Sequence, residues 1–190
     1  KIYIDDRFAF ILYPQDIRKY KIAVDVDISE DTYNSIINEI VLRRCKNRAI
    51  NYIESRERTE YEIRNKLKTL YYTEEVIDRV IAFLEEYHYI DDERYAKQFV
   101  DTYANRKSKA RLRQDLMLKG VDKEIIQYTL EETEVDEEAV LRELVDRKLF
   151  HIDKLDDNMY RRTVNFFMRR GYNYQLISKI LLQSNKISQK

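Results

Sequence analysis

Little in this chain interrupts a helix. It has two glycines and one proline in 190 residues. Two glycines cannot build a phosphate-cradling loop, and their scarcity favours helices with short connections. A single cysteine excludes an internal disulfide. With only two isolated histidines, His88 and His151, it does not make a zinc site either. Net charge is absent: 35 basic residues balance 35 acidic ones. The chain is therefore not a polycation that holds any nucleic acid non-specifically. No hydrophobic run approaches the length of a membrane span, and no signal peptide is present, so a soluble, cytoplasmic protein is expected. No nucleophile–base pair is visible. The doublets Asp91-Asp92 and Asp156-Asp157 resemble helix caps more than magnesium ligands. Neither enzymatic activity, nor a cofactor, nor a bound metal is expected. The chain opens on Lys1 and not on Met, so further native residues are expected upstream.

What is present is a threefold repeat. Leu67, Leu116 and Phe167 align, preceded four residues earlier by Ile63, Leu112 and Thr163. Four residues later stand Tyr71, Gly120 and Gly171, and six later Thr73, Asp122 and Asn173. Apolar pairs follow at Val76-Ile77, Ile125-Ile126 and Leu176-Ile177. The offsets are 49 residues (67 to 116) and 51 (116 to 167). A fixed period of this size marks stacked helical units, which usually present an extended binding surface instead of a catalytic pocket.

The expected architecture is mainly α: tandem three-helix repeats in an elongated curved array, with a small N-terminal β-hairpin. The hairpin occupies residues 1–28, where Ile2-Tyr3-Ile4 and Phe8 to Tyr13 flank Asp5-Asp6-Arg7. Pro14 ends the second strand, Asp16 caps a turn through Tyr20, and the alternation over 22–28 suggests a third extended segment. Repeat 1 spans residues 29–90. Its first helix, capped by Ser29 or Asp31, carries the stripe Ile36, Ile37, Ile40, Val41, Cys45, Ala49, Tyr52 and Ile53. Cys45 lies on that stripe as a small buried hydrophobe. Thr59-Glu60-Tyr61-Glu62 is a capping box, and Thr73 opens a third helix. Repeat 2 spans 91–135, opened by Asp91-Asp92, with Ser108 and Asp122 as later caps and Gly120 as a left-handed stop. Repeat 3 spans 136–190, with Asp136 at its start, a middle helix from about Asp157, Gly171 as stop and Asn173 as cap.

Charge is segregated within this pattern. The middle helices and their approaches carry Arg56, Arg58, Arg64 and Lys68, then Arg106, Lys109, Arg111 and Arg113, then Arg161, Arg162, Arg169 and Arg170. Any one run reads as a solvated face; three at equivalent places read as a discontinuous basic stripe. Such a stripe suits a phosphate backbone or an acidic protein groove, and charge alone does not separate the two. Tyr52, Tyr61, Tyr103, Tyr160 and Tyr172 lie among these residues, fitted either to fill gaps between short helices or to stack on unpaired bases.

Three segments resemble the signatures of the RecX family, modulators of the RecA recombinase. They are Arg56-Glu57-Arg58-Thr59-Glu60-Tyr61-Glu62-Ile63-Arg64-Asn65-Lys66-Leu67; Ile90-Asp91-Asp92-Glu93-Arg94-Tyr95-Ala96, continued by Leu116 to Val121; and Arg169-Arg170-Gly171-Tyr172 followed by Ile177. The hairpin is similar to the extension of the family's longer members, and further repeats after the third are common there, so shortening at either end is expected. Tyr71 departs from the pattern, which expects glycine; the first unit's turn is therefore expected to be built differently. The resemblance implies a tandem three-helix fold and a monomer that lies in the groove of the RecA–DNA filament. It implies inhibition of filament growth, ATP turnover, strand exchange and coprotease activity, hence regulation of recombination and of the SOS response. Weak binding of single- or double-stranded DNA is also implied. The alternative is a single-stranded DNA-binding module that affects recombination by competing for DNA.

Overall fold

The computed structural model describes residues 1–133, 135–152 and 154–184. It divides into two compact bodies, residues 1–92 and 93–190. The fold is mainly helical, with tandem three-helix units and one small antiparallel sheet.

The first body opens with strands β1 (Ile2–Ile4) and β2 (Arg7–Phe10), paired with a register irregularity at Ile2/Tyr3. Asp5 and Asp6 both take positive φ (49° and 63°), as a two-residue turn matched to strand twist demands. Helix α1 (Pro14–Lys19) follows at once. Here the expected cap is replaced. Asp16 lies inside α1, and its carboxylate accepts the Tyr13 amide at 3.0 Å. Residues 22–28 form no strand: Asp25 turns the backbone to φ 57°, and Val24 and Val26 face solvent. The alternation there has no partner strand to satisfy it.

One continuous helical stretch then runs as α2 (Glu30–Ser35), a π-helical segment (Ile36–Val41) and α3 (Leu42–Glu54). Ser29 caps it through the Thr32 amide at 3.2 Å. Ile36, Ile37, Ile40, Val41, Cys45 and Ala49 are buried as expected, and Leu42 joins them beside the wide π turn. Helices α4 (Glu60–Thr69) and α5 (Glu74–Glu86) complete the first unit. The capping box at Thr59 forms: its hydroxyl accepts the Glu62 amide at 3.2 Å, and the Glu62 carboxylate accepts the Thr59 amide at 3.4 Å. The face of α5 formed by Val76, Ile77, Val80, Ile81 and Leu84 closes a core that also includes Phe10 and Leu12 of the hairpin region.

Helix α6 (Asp92–Tyr103) begins on the last residue of the first body and leads into the second. There α7 (Lys109–Leu118) and α8 (Lys123–Glu132) finish the second unit; α9 (Glu137–Lys148), α10 (Asp157–Met168) and α11 (Tyr174–Gln183) make the third. Each unit has its own core, around Leu112, Leu116 and Ile126 in the second and Leu141, Phe167 and Ile177 in the third. The caps Ser108, Asp122, Asp136, Asp156 and Asn173 each accept a first-turn amide of the helix they precede.

Candidate partner-binding face

The middle helices α4, α7 and α10 end in one and the same turn. The amides of Tyr71, Gly120 and Gly171 donate to the carbonyls of Lys68, Met117 and Met168 at 2.9, 3.0 and 2.9 Å. The next amides, of Tyr72, Val121 and Tyr172, reach back to Leu67, Leu116 and Phe167 at 3.3, 3.2 and 3.2 Å. The residue between is left-handed each time, with φ of 62°, 77° and 87°. Tyr71 therefore corrects the expectation of a different turn: it adopts the glycine conformation at a cost of about 1–2 kcal/mol. Its ring is half exposed, with the Lys1 ammonium 3.9 Å over it.

Gly171 cannot make that substitution. A Cβ there would lie 2.6 Å from the Ser108 hydroxyl oxygen, 3.1 Å from the Ala110 Cβ and 3.3 Å from the Arg111 nitrogen. The start of α7 packs directly on the end of α10, and the Ser108 hydroxyl donates to the Arg170 carbonyl at 2.7 Å. Glu137, the first residue of α9, accepts the Lys109 amide at 2.6 Å. In the first body Asp92 does the same for the Glu60 amide at 3.0 Å. Asp92 therefore also satisfies the first amide of α4, a role added to its expected place at the start of its own helix. Burial raises the Asp92 pKa, partly offset by this bond.

The joint between α7 and α10 sets two of the predicted basic runs side by side. Lys109 and Arg111 stand on one backbone segment, Arg169 and Arg170 on the segment it touches. The guanidinium of Arg170 lies 3.5 Å over the Phe166 ring. Arg111 pairs with Asp115 at 3.0 Å, and Arg113 donates to Gln127 at 2.7 Å. Among the described residues, Arg106, Arg161 and Arg162 are exposed and make no ion pair, and Lys109 keeps its ammonium unpaired.

The first unit is more self-neutralised. Arg64 is held between Glu60 (2.5 Å) and Asp78 (2.6 Å), and Lys68 pairs with Glu74 at 2.9 Å. The guanidinium of Arg58 lies 4.1 Å over the Tyr52 ring with Glu62 4.0 Å away, its side chain only 10% exposed. Its Nε is buried without a hydrogen bond. Arg56 reaches Glu62 at 3.8 Å from an exposed position. Of the interleaved tyrosines, Tyr52 and Tyr103 carry cations on their rings, Tyr160 donates to Ser178 at 3.1 Å and Tyr172 is buried. Only Tyr61 among these five is largely exposed.

Among the described residues no cluster of His, Cys, Asp or Glu gathers to hold a metal, and no helix is long and apolar enough to cross a membrane. Asp156 is spent on capping α10.

Models of the three RecX domains match in order: the first three-helix domain over residues 45–84, the second over 91–130 and the third over 136–181. The chain belongs to the RecX family. It is 31% identical to the regulatory protein RecX of Clostridium acetobutylicum, across 95% of this chain and 87% of that one. It is 29% identical to the RecX of Clostridium botulinum strain Eklund 17B, across 96% and 88%. A crystal structure of regulatory protein RecX superposes with a TM-score of 0.66 at 21% identity, covering 94% of this chain and 90% of the other. That of RecX from Lactobacillus salivarius gives 0.61 at 26% identity, covering 75% and 95%. These two share the three-helix design described above.

Proposed function

We propose that this RecX-family chain is a non-enzymatic negative regulator of the RecA recombinase. It lies as a monomer in the groove of the RecA–DNA filament, in the cytoplasm, and inhibits filament growth, ATP turnover, strand exchange and coprotease activity. Its repeats span residues 29–90, 91–135 and 136–190, preceded by the hairpin extension 1–28, and they touch neighbouring protomers so that weak contacts multiply. Contact with single- or double-stranded DNA is secondary. The observation that carries this reading is the joint between α7 and α10, which gathers Lys109, Arg111, Arg169 and Arg170 around two abutting backbones. Exposed Arg106, Arg161 and Arg162 extend the charge. Arg64 and Lys68, already neutralised, contribute less than their number in the sequence suggests.

The test is RecA ATP turnover on single-stranded DNA with substoichiometric amounts of this protein. Inhibition far below one to one is expected, because blocking a growing end stops many protomers. Reversing Arg106, Lys109 and Arg113 to Glu should weaken filament binding and inhibition together. Undiminished inhibition by that folded variant would overturn the proposal. Salt separates it from competition for DNA: affinity resting on six to ten phosphate contacts falls about 10³–10⁵-fold between 50 and 200 mM. Inhibition that survives where naked-DNA binding has vanished supports the filament reading; parallel loss of both refutes it.

A further inference from the structure

The first body contains a cleft of about 270 Å³ between the hairpin region, α3 and the α4–α5 turn. Its floor is apolar, with Phe10 and with Val41 from the end of the π-helical segment. Segments of π geometry recur at functional sites, where they re-aim side chains. Tyr13, Tyr71 and Tyr72 supply three phenol rings to the walls. Tyr71 is the residue held left-handed where the other two units use glycine. Backbone strain of this kind persists where the surroundings over-determine it, and ligand clamps are a common place for it.

The polar groups complete a pattern. Arg44 and Arg48 stand one helical turn apart on α3, and both line the cleft. The carboxylate of buried Asp16 grips Arg44 with two bonds of 2.6 and 3.1 Å, and the Tyr13 ring lies 4.6 Å from its guanidinium carbon. Arg44 is thereby neutralised and braces Tyr13. Arg48 has no ion pair among the described residues, and no Asp or Glu lines the cleft. Arg48 is left with its charge free, and the Lys1 ammonium lies 3.9 Å over the Tyr71 ring at the same cleft. Thr73 precedes α5 without capping it, unlike the equivalent Asp122 and Asn173, so its hydroxyl remains available in the wall. The hydroxyls of Tyr13 and Tyr72 make no hydrogen bond among the described residues, and burial raises the Tyr72 pKa, keeping it a neutral donor.

We propose that this cleft binds a single nucleotide unit, its base against the tyrosine rings and its phosphate on Arg48 and Thr73. Every nucleobase offers a π face to an aromatic ring, and guanidinium with hydroxyl matches a phosphate. The volume lies just under the roughly 300–1,000 Å³ of sites for drug-sized ligands, which suits one nucleotide and not a longer segment. The inference does not rest on the filament reading. The hairpin and Tyr71 belong to the first unit alone, so the cleft is not a property of the repeat.

Calorimetric titration of the full chain with AMP, adenosine and inorganic phosphate tests it. AMP should bind one to one, and adenosine and phosphate each at least about tenfold more weakly, as expected for losing one charge-assisted contact or one stacked ring. Arg48→Ala, at an exposed position, should weaken AMP about tenfold or more with an unchanged circular dichroism spectrum. Tyr71→Gly keeps the turn, removes a ring and should also weaken it. Absence of AMP binding, phosphate binding as tightly as AMP, or Arg48→Ala binding like the parent would each overturn the proposal. A 5′-phosphorylated oligonucleotide identifies the source. If Arg48→Ala weakens it by the same factor and AMP displaces it, the site takes a nucleotide within a strand. If AMP saturates the site and leaves oligonucleotide binding unchanged, the site takes a free nucleotide.

Discussion

Gly171→Ala should cost this protein about 3 kcal/mol, from strain near 1–2 kcal/mol for a left-handed L-residue and the rest from the α7–α10 joint. The added Cβ would sit 2.6 Å from the Ser108 oxygen, closer than such contacts tolerate. Backbone at Arg111 and the Ala110 methyl, at 3.3 and 3.1 Å, leave no path for a purely side-chain adjustment. The start of α7 must therefore retreat from α10. Ser108 is fully buried, so its bond to the Arg170 carbonyl would break without water to replace it. A buried group left unpaired costs about 1–3 kcal/mol. Urea unfolding followed by circular dichroism measures the total, and amide exchange over residues 107–112 should show the loss centred on the α7 start. A double-mutant cycle with Ser108→Ala isolates the contact. With the oxygen gone, the further cost of Gly171→Ala should fall toward strain alone, leaving a coupling of about 1 kcal/mol. A total of about 1 kcal/mol or less for Gly171→Ala, with no coupling, would refute the close approach as the reason for glycine.

Asp16→Asn should destabilise at neutral pH by about 2–3 kcal/mol, below the usual figure for a broken buried pair because Arg44 is one-quarter exposed. The hydrogen bond from Arg44 lowers the Asp16 pKa in the fold, so its stabilisation is full above the unfolded value near 4 and fades as pH falls through the lowered one. Parent and variant should therefore converge in acid; a constant gap from pH 7 to pH 2 would contradict this. Cys45 is fully buried, and burial pushes its thiol up to about 12, so a thiol reagent at pH 8 should label it only on unfolding. Fast labelling of the native protein would show that α3 opens locally. Ser108→Asp should destabilise more than Asp156→Ser, which exchanges two good caps and should stay within about 0.5 kcal/mol by thermal unfolding. Equal effects would remove the distinction between the two positions.

What could be read in the sequence was chemistry acting over three or four residues. Caps at Thr59, Ser108 and Asn173 formed, and Ser29 took the place left open between it and Asp31, because a capping side chain meets its partner within one turn. Apolar stripes on α3 and α5 are buried for the same local reason. The failures involve partners far along the chain. Asp16 looked like a cap, but Arg44, 28 positions away, makes it a buried ion-pair partner. Residues 22–28 alternate like a strand but have no strand to pair with. Asp92 and Glu137 satisfy the first amides of α4 and α7, 32 and 28 positions away, which no local pattern announces. The basic stripe could be located, but its free charge could not be counted, since Asp78 neutralises Arg64 from the neighbouring helix.

The departures from the repeat become intelligible through the joint between the second and third units. A hydroxyl at the cap of α7 accepts the Arg111 amide at 3.1 Å and donates to the Arg170 carbonyl at 2.7 Å. A carboxylate can cap equally well but cannot donate, and it would bring a charge into a dry contact. The corresponding cap of the third unit is such a carboxylate: Asp156 accepts the Met159 amide and faces solvent. The other half of the joint is the left-handed residue. Gly171 must lack a Cβ because Ser108 lies against it, whereas Tyr71 tolerates a full side chain because its ring is half exposed. One backbone turn thus carries two different constraints. Left-handed geometry alone makes glycine preferable, and an abutting helix makes it mandatory. Tyr71 and Asp156 fall where the second constraint is missing, which frees the first unit's turn to carry an aromatic ring into the cleft beside Arg48.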